Sequence, residues 1–335
     1  MLYSYYINHI WLIGDYMKLV YAIALICAAS TAQARDNIQV TGSSTVLPYA
    51  TIVAESFGEN FEFPSPVVEG GGSGAGRKKL CEGVGENTVD IANSSSKMKE
   101  EEWAKCEEAV GTITEVRIGY DGIVFASNID QLNIDNLTVE QLYKALHESS
   151  TAKLWSDVDS ALPEVEILAY IPGTKHGTRE VFDVKVMEDG CKAALGVEKL
   201  DDEQKKACVK VRTDGAAIDI DGDYTETLSR LDANPTSLGV FGLSFYQNNT
   251  DKLEVSTVGG VFPSVETISS GDYPISRPLY FYVKNAHLGV IPGLKEFVEF
   301  FVSDDMAGPD GALAQYGLVP DPELTSTQEL VNALQ

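Results

Sequence analysis

Basic residues are scarce in this 335-residue chain: 25 Lys and Arg stand against 50 Asp and Glu, a formal net charge of -25. That balance argues against nucleic acid or an anionic membrane surface as partner, because both require basic patches. It leaves a small anion open, since a desolvated pocket is governed by its own donors and net charge acts mainly on solubility and encounter. Histidine is scarcer still. His9, His147, His176 and His287 are scattered, and no Cys-x-x-Cys spacing accompanies them. The chain therefore offers neither a recognisable zinc site nor a metal cluster or base-activated nucleophile for hydrolysis, and no metal or cofactor is expected. No apolar run is long enough to span a bilayer, and no repeat or low-complexity linker breaks the chain. With 44% apolar residues it can instead build a sizeable core, and its length suits two lobes or domains.

The N-terminus carries a secretory pattern. Met17-Lys18 supplies a basic start, Leu19 to Ala29 a short apolar core, and Ala32-Gln33-Ala34 a small-residue cleavage site. Residues 17–34 are expected to be a signal peptide cleaved after Ala34, and residues 1–16 an upstream extension preceding the true start. Ile26 stands before Cys27 where a lipobox would place a small residue, which argues against lipidation. Without Cys27, Cys81, Cys106, Cys191 and Cys208 remain, an even number that suits disulfides in an exported chain. Of the three connectivities open to four cysteines, Cys81–Cys106 with Cys191–Cys208 closes the shortest loops.

Hydroxyl-rich turns between strands and helices dominate the rest. Ile38-Gln39-Val40 reads as a strand, followed by Thr41-Gly42-Ser43-Ser44-Thr45 and an amphipathic helix entered at Pro48, where a missing N–H is harmless. Val67-Val68-Glu69 precedes Gly70-Gly71-Gly72-Ser73-Gly74, and a basic helix follows. That run formally fits a dinucleotide fingerprint, but the following helix is too short, and Asp90 opens the next strand where a ribose-binding acid should close it. Val89-Asp90-Ile91-Ala92 is a third strand, ending at Asn93-Ser94-Ser95-Ser96. A fourth turn, Gly173-Thr174-Lys175-His176-Gly177-Thr178-Arg179, follows the strand Ile167 to Ile171 and opens a helix on which Phe182 and Val186 share a face and Gly190 reads as the stop. Helix starts present unpaired N–H groups and partial positive charge, and ligands collect at the carboxyl ends of strands in α/β sheets. Each turn alone is an ordinary cap; the four together point to one shared oxyanion site.

Arg117 to Ala126 is apolar in both phases, like a fully buried strand crossing between lobes, and Leu279 to Val283 reads as the return crossover. Thr138 to Leu146, Leu294 to Val302 and Ser326 to Leu334 read as helices. Asp214 to Asp223 lacks the closing bidentate Glu of a calcium loop and reads as a solvated acidic turn.

Taken in order, Thr41-Gly42-Ser43-Ser44-Thr45, Gly72-Ser73-Gly74, Asp90 to Ser95, Gly119-Tyr120-Asp121-Gly122, His176-Gly177-Thr178-Arg179 and Tyr273-Pro274-Ile275-Ser276-Arg277-Pro278 resemble the periplasmic phosphate-binding proteins that serve phosphate ABC importers. The resemblance covers nearly all of the mature chain. It implies an α/β, two-lobed type II periplasmic binding protein with mixed sheets, helices on both faces and two crossover hinge strands. Lobe I would comprise residues 35–121 and 280–335, and lobe II residues 122–279. It further implies a non-enzymatic protein of the periplasm that binds inorganic phosphate between the lobes, closes at Tyr120-Asp121-Gly122 and near Arg277, and delivers its ligand to membrane permease subunits. Carried over by position, Ser44, Thr45, Ser73 and Ser95 would serve from the first lobe. His176, Gly177, Thr178 and Arg179 would serve from the second, with His176 where the commoner form has Ser. Better-known members carry an Asp where Ser95 stands, and an Arg at the place of Pro172. Arg179 then takes the positive role, and Asp214 or Asp121 becomes the candidate acceptor for the phosphate proton, the group that would reject sulfate. Other oxyanions such as sulfate or molybdate, a secreted phosphatase, and an adhesion or sensory protein on the same fold are the competing readings.

Overall fold

The structure, a computed structural model, describes residues 35–174, 178–222 and 224–334. The signal segment with Ala34 and Cys27, and the loop residues Lys175, His176 and Gly177, lie outside them.

One strand is shared by both halves of the molecule. β4 (Ile113–Asn128) has 16 residues, 13 of them buried and Ile118 to Ser127 without a break, as a strand covered on both faces requires. Ahead of it come β1 (Gln39–Gly42), β2 (Val67–Gly70) and β3 (Ile91–Ser94). After it come β5 (Asn136–Leu137), β6 (Ala169–Pro172), β7 (Ala217–Ile220), β8 (Leu238–Gly242), β9 (Leu253–Val255), β10 (Thr257–Val258) and β11 (Ser276–Lys284). The main sheet runs β2-β1-β3-β11-β4-β8-β6-β7, with β9 also on β4, and β5 pairs with β10 separately. From Ile113 to Gly122, β4 lies antiparallel to β11; from Ile123 it pairs with β8 and then β9. β1, β2 and β3 are mutually parallel, as are β6, β7 and β8. The two parallel sets, joined through β4 and β11, make the two-lobed mixed α/β fold that the resemblance implies.

Each half has its own core. Val53, Phe57, Phe281 and Phe297 belong to the first, and Phe125, Trp155, Phe182 and Phe241 to the second. Large side chains buried to this degree contribute about 1.5–3 kcal/mol each, so each half is held by its own apolar mass. On β4 the cores change over between Ile118, in the first, and Tyr120, in the second. The C-terminal leg crosses the same point: Tyr120 and Val319 exchange backbone hydrogen bonds of 2.8 Å in both directions. Gly119 has φ +143 there, and a Cβ on it would come 2.6 Å from the Val319 carbonyl oxygen.

The helices α1 (Leu47–Asn60), α2 (Ser73–Leu80) and α4 (Val139–Leu146) fall where the sequence puts helices, α4 with a Thr138–Gln141 capping box, and α3 (Glu100–Val110) follows the third turn. Two readings need correction. Gly190 does not stop its helix: helical turns run as Arg179–Val181, a π-helical stretch Phe182–Glu188 and Asp189–Leu195, and the end is Gly196 in left-handed conformation. Gly190 is instead a point of close packing, where a Cβ would meet the Tyr143 Cβ at 2.6 Å. The stretch 214–223 is not only a solvated turn, because Ala217–Ile220 forms the edge strand β7. Its outward Ile218 and Asp219 hid the alternation. The cysteines pair as the short loops suggested. Cys81 and Cys106 join the end of α2 to α3 with Cα atoms 4.8 Å apart, and Cys191 and Cys208 have Cα atoms 5.8 Å apart.

Candidate functional site

The first turn shows how three adjacent hydroxyls divide their work. Ser43 Oγ accepts the Thr45 and Val46 N–H groups at 3.2 and 3.4 Å, so it caps the turn that enters α1. Ser44 is left exposed and lines a cleft, while Thr45 is fully buried. Thr45 Oγ1 donates to Glu180 Oε2 and accepts 2.6 Å from Arg277 Nη2. The second turn is tied to the first by Gly72 N–H donating to Gly42 O at 2.8 Å. It places Ser73 at the start of α2, where its Oγ accepts the Ser95 N–H at 3.1 Å and lies 3.1 Å from Ser95 Oγ. Behind this pair Arg77 donates to Ser94 Oγ at 2.6 Å and to Glu102 at 2.8 Å, fixing the third turn against α2.

From the second half, buried Thr178 Oγ1 accepts from Tyr224 OH at 3.4 Å. Arg179 turns toward its own half: Nε donates to Asp183 at 2.7 Å, and Nη1 to Asp219 at 2.8 Å and to Pro172 O at 3.0 Å. It still lines the cleft, a cavity of about 890 Å³ that Ser44, Glu180 and Tyr316 also border. His176 and Gly177 lie outside the described residues.

The deepest charges come from the two crossover strands. Arg277 on β11 sits directly across from Asp121 on β4. The Arg277 side chain is 10% exposed; Nη1 reaches Glu180 Oε1 at 3.5 Å, while its buried Nε meets no acceptor. Asp121 is fully buried and neither carboxylate oxygen has a hydrogen-bond partner. Burial pushes its carboxyl up to about 7, with Arg277 pulling it down and Glu180 adding to the rise. Burial, and then the Asp121 charge, also holds the Tyr49 phenol well above its ordinary range. Asn93, at the end of β3, is fully buried with both side-chain amide atoms unpartnered. Buried polar atoms left unpaired are rare and point to a polar ligand or a functional demand.

Thr45 is thus gathered with Asp121 and Arg277, and Ser73 with Ser95, whereas Asp214 is elsewhere. Its carboxylate is gripped by Arg212 at 2.5 and 2.8 Å, and that hydrogen bond holds it down to about 2. Arg277, Glu180 and Asn93 are the polar groups that sequence reading did not nominate. Arg277 carried a signal, an Arg between the apolar alternates Ile275 and Leu279 of a buried strand. Glu180 carried none, since Glu in a first helical turn is ordinary. Among the described residues no group of His, Cys, Asp and Glu comes together to hold a metal ion.

Comparison with known proteins agrees with this architecture. The model of the PBP superfamily domain matches residues 28–305. The phosphate-binding protein PstS of Staphylococcus haemolyticus is 30% identical over 296 residues, covering 86% of this chain and 82% of its own. The crystal structure of a possible phosphate binding protein from Planctomyces limnophilus superposes with a TM-score of 0.70 at 26% identity, covering 89% of this chain and 99% of that one. An ABC-type phosphate transport receptor from Vibrio cholerae shares the fold, with a TM-score of 0.53 at 21% identity over 80% of this chain and 94% of its own. With the Thr45 hydroxyl of the first turn bonded to the Arg277 guanidinium, and with likeness of this extent, the chain belongs to the PBP superfamily and, within it, to the family of the PstS phosphate-binding proteins.

Proposed function

We propose that the chain binds inorganic phosphate in the cleft between its lobes and delivers it to the membrane permease subunits of an ABC importer, acting as a binding protein and not as an enzyme. The observation that carries the reading is the meeting of Thr45, Arg277 and Asp121 where the lobes join, in a chain that belongs to a phosphate-binding family. A desolvated dianion needs fixed donors and a guanidinium, and Arg is suited to bidentate grip of tetrahedral oxyanions. In this reading Ser44, Thr45, Ser73 and Ser95 bind from lobe I (residues 35–121 and 280–335). Lobe II (122–279) adds His176, Gly177, Thr178 and Arg179, and Arg277 shares the positive role with Arg179. Closure turns about β4 and β11, whose changeover at Gly122 and Ile123 supports hinges at those crossovers.

Of the two candidate proton acceptors, burial and unpartnered oxygens favour Asp121, while the Arg212 grip disfavours Asp214. A carboxylate acceptor welcomes the proton that phosphate keeps near neutral pH and rejects sulfate, which has none. We further propose that residues 17–34 direct export, that cleavage follows Ala34, and that the mature protein works in the periplasm with both disulfides formed. Isothermal calorimetry of the mature protein tests the reading. Phosphate should bind tightly and sulfate and molybdate weakly; strong sulfate or molybdate heat without phosphate heat would move the assignment to another oxyanion.

A further inference from the structure

Glu180 stands where the bound anion needs donors. Its carboxylate accepts the Thr45 hydroxyl proton through Oε2, and Oε1 lies 3.5 Å from Arg277 Nη1. Thr45 Oγ1 meanwhile accepts from Arg277 Nη2 at 2.6 Å, so hydroxyl, guanidinium and carboxylate close a three-membered ring across the cleft. A hydroxyl has one proton to give. While Glu180 holds it, Thr45 cannot donate to a ligand, and a second anion beside Arg277 would meet the Glu180 charge at close range in a partly desolvated site. Glu180 also departs from its neighbour Arg179, which is pinned to Asp183 and Asp219 on its own half. Its side chain is 40% exposed and sits on the first short helical turn after the loop, so it can swing into solvent without disturbing either core.

We propose that Glu180 is a tethered competitor of the anion. Its carboxylate occupies Thr45 and Arg277 in the ligand-free protein and is displaced when phosphate enters. It therefore sets the affinity, and it favours ligands with more charge and more acceptor atoms than a carboxylate brings. The proposal rests on the phosphate reading above. No residue need be added to explain why a chain so rich in acidic groups keeps one of them inside an anion site: the carboxylate keeps the donors oriented and screens them from monoanions.

The test is calorimetry of phosphate binding to the full mature protein, to Glu180→Gln and to Glu180→Ala, with acetate as a second probe. Both substitutions should tighten phosphate about tenfold or more, as 1.4 kcal/mol of relieved competition gives. In Glu180→Ala, added acetate should take the vacated carboxylate position and weaken phosphate binding again, while leaving the unsubstituted protein unaffected. A merely structural Glu180 would show no such acetate sensitivity. Phosphate affinity unchanged or weaker in both variants, with the parent protein binding phosphate normally, overturns the competitor role and leaves the phosphate reading standing. Absence of phosphate heat in all three proteins removes the phosphate reading and this inference with it.

Discussion

The two ends of β11 bury charge in opposite ways. At its C-terminal end, Lys284 donates to Gly83 O at 2.5 Å and to Thr88 Oγ1 at 2.9 Å. Beside it His287 Nδ1 meets Asp90 Oδ1 at 2.6 Å, His287 Nε2 accepts the Gly85 N–H at 3.2 Å, and Asp90 Oδ2 accepts the Gln39 N–H at 2.7 Å. Lys284, His287 and Asp90 are all at most 2% exposed. Near the other end, Arg277 and Asp121 face each other with an unpartnered Nε and two unpartnered carboxylate oxygens. Both clusters bear the cost of desolvating charge. The first recovers it in hydrogen bonds and staples residues 83–90 to the sheet. The second leaves capacity unspent, as a site that must receive a polar ligand should. The contrast separates structural from functional burial within one strand, and substitutions at each end should have opposite signatures.

Arg277→Ala should have the largest effect on binding. It removes the cation and strands Asp121 and Glu180 together, so phosphate affinity should fall by about 2–5 kcal/mol, the range for truncating one partner of a buried charge pair in a binding site. Calorimetry reads the loss directly; a fall of less than tenfold would remove Arg277 from the ligand's charge balance and break the contrast.

Asp121 sharpens it through pH. Its folded carboxyl titrates at about 7 against 3.8 for the ordinary group. Between those values the folded chain keeps a proton that the unfolded chain has released. Stability therefore falls as pH rises through that window and levels off above it. The difference corresponds to roughly 4 kcal/mol. Asp121→Asn should flatten that slope and be the more stable protein at pH 8 in the absence of phosphate. Denaturant melts at pH 5 and pH 8 show it; parallel pH dependence in both proteins would mean that Asp121 ionises freely.

At the closed end, His287→Ala should cost about 2–3 kcal/mol of stability, because a buried, charge-assisted network loses a member. Phosphate affinity should stay within a factor of two or so of the parent, since no part of that cluster reaches the cleft in the reading above. A large loss of affinity without loss of stability would reverse the roles of the two ends.

Much of this was legible in the sequence, for reasons that also explain what was not. β4 announces itself because a strand shared by two lobes is covered on both faces and cannot alternate. The turns after β1, β2 and β3 are legible because Gly and hydroxyl residues cluster where helix starts need them. Gly190 misled because a helix-stopping Gly and a close-packing Gly look alike until the neighbouring helix is placed. The π-helical stretch at Phe182–Glu188 left no mark at all, since its residues suit an α-helix as well. Arg277 and Asp121 were visible as members of motifs, but their pairing depends on the register of two strands more than 150 residues apart in sequence. Glu180 could not be found by any local pattern: what makes it distinctive is a hydroxyl contributed by the opposite lobe.

The smallest expected effect is also the most discriminating. Arg179 is the positive residue that the motif singles out, yet its Nε and Nη1 are engaged by Asp183, Asp219 and Pro172 O within one half. Two carboxylates already balance its charge, one of them on the half-exposed Asp219. Arg179→Ala should therefore weaken phosphate by only about 1 kcal/mol, as for a partly exposed pair. Because Asp219, which balances it, is half-exposed, its contribution should fade as ionic strength rises and the Debye length falls below about 8 Å. The loss in Arg277→Ala should persist in high salt, since the charge that faces Arg277 is the fully buried Asp121, which is little screened. Titrations of both variants at low and high salt distinguish the two arginines by the exposure of the charges they face. Equal, salt-resistant losses would place Arg179 against the ligand and require the second lobe to close further on phosphate than its present hydrogen bonds permit.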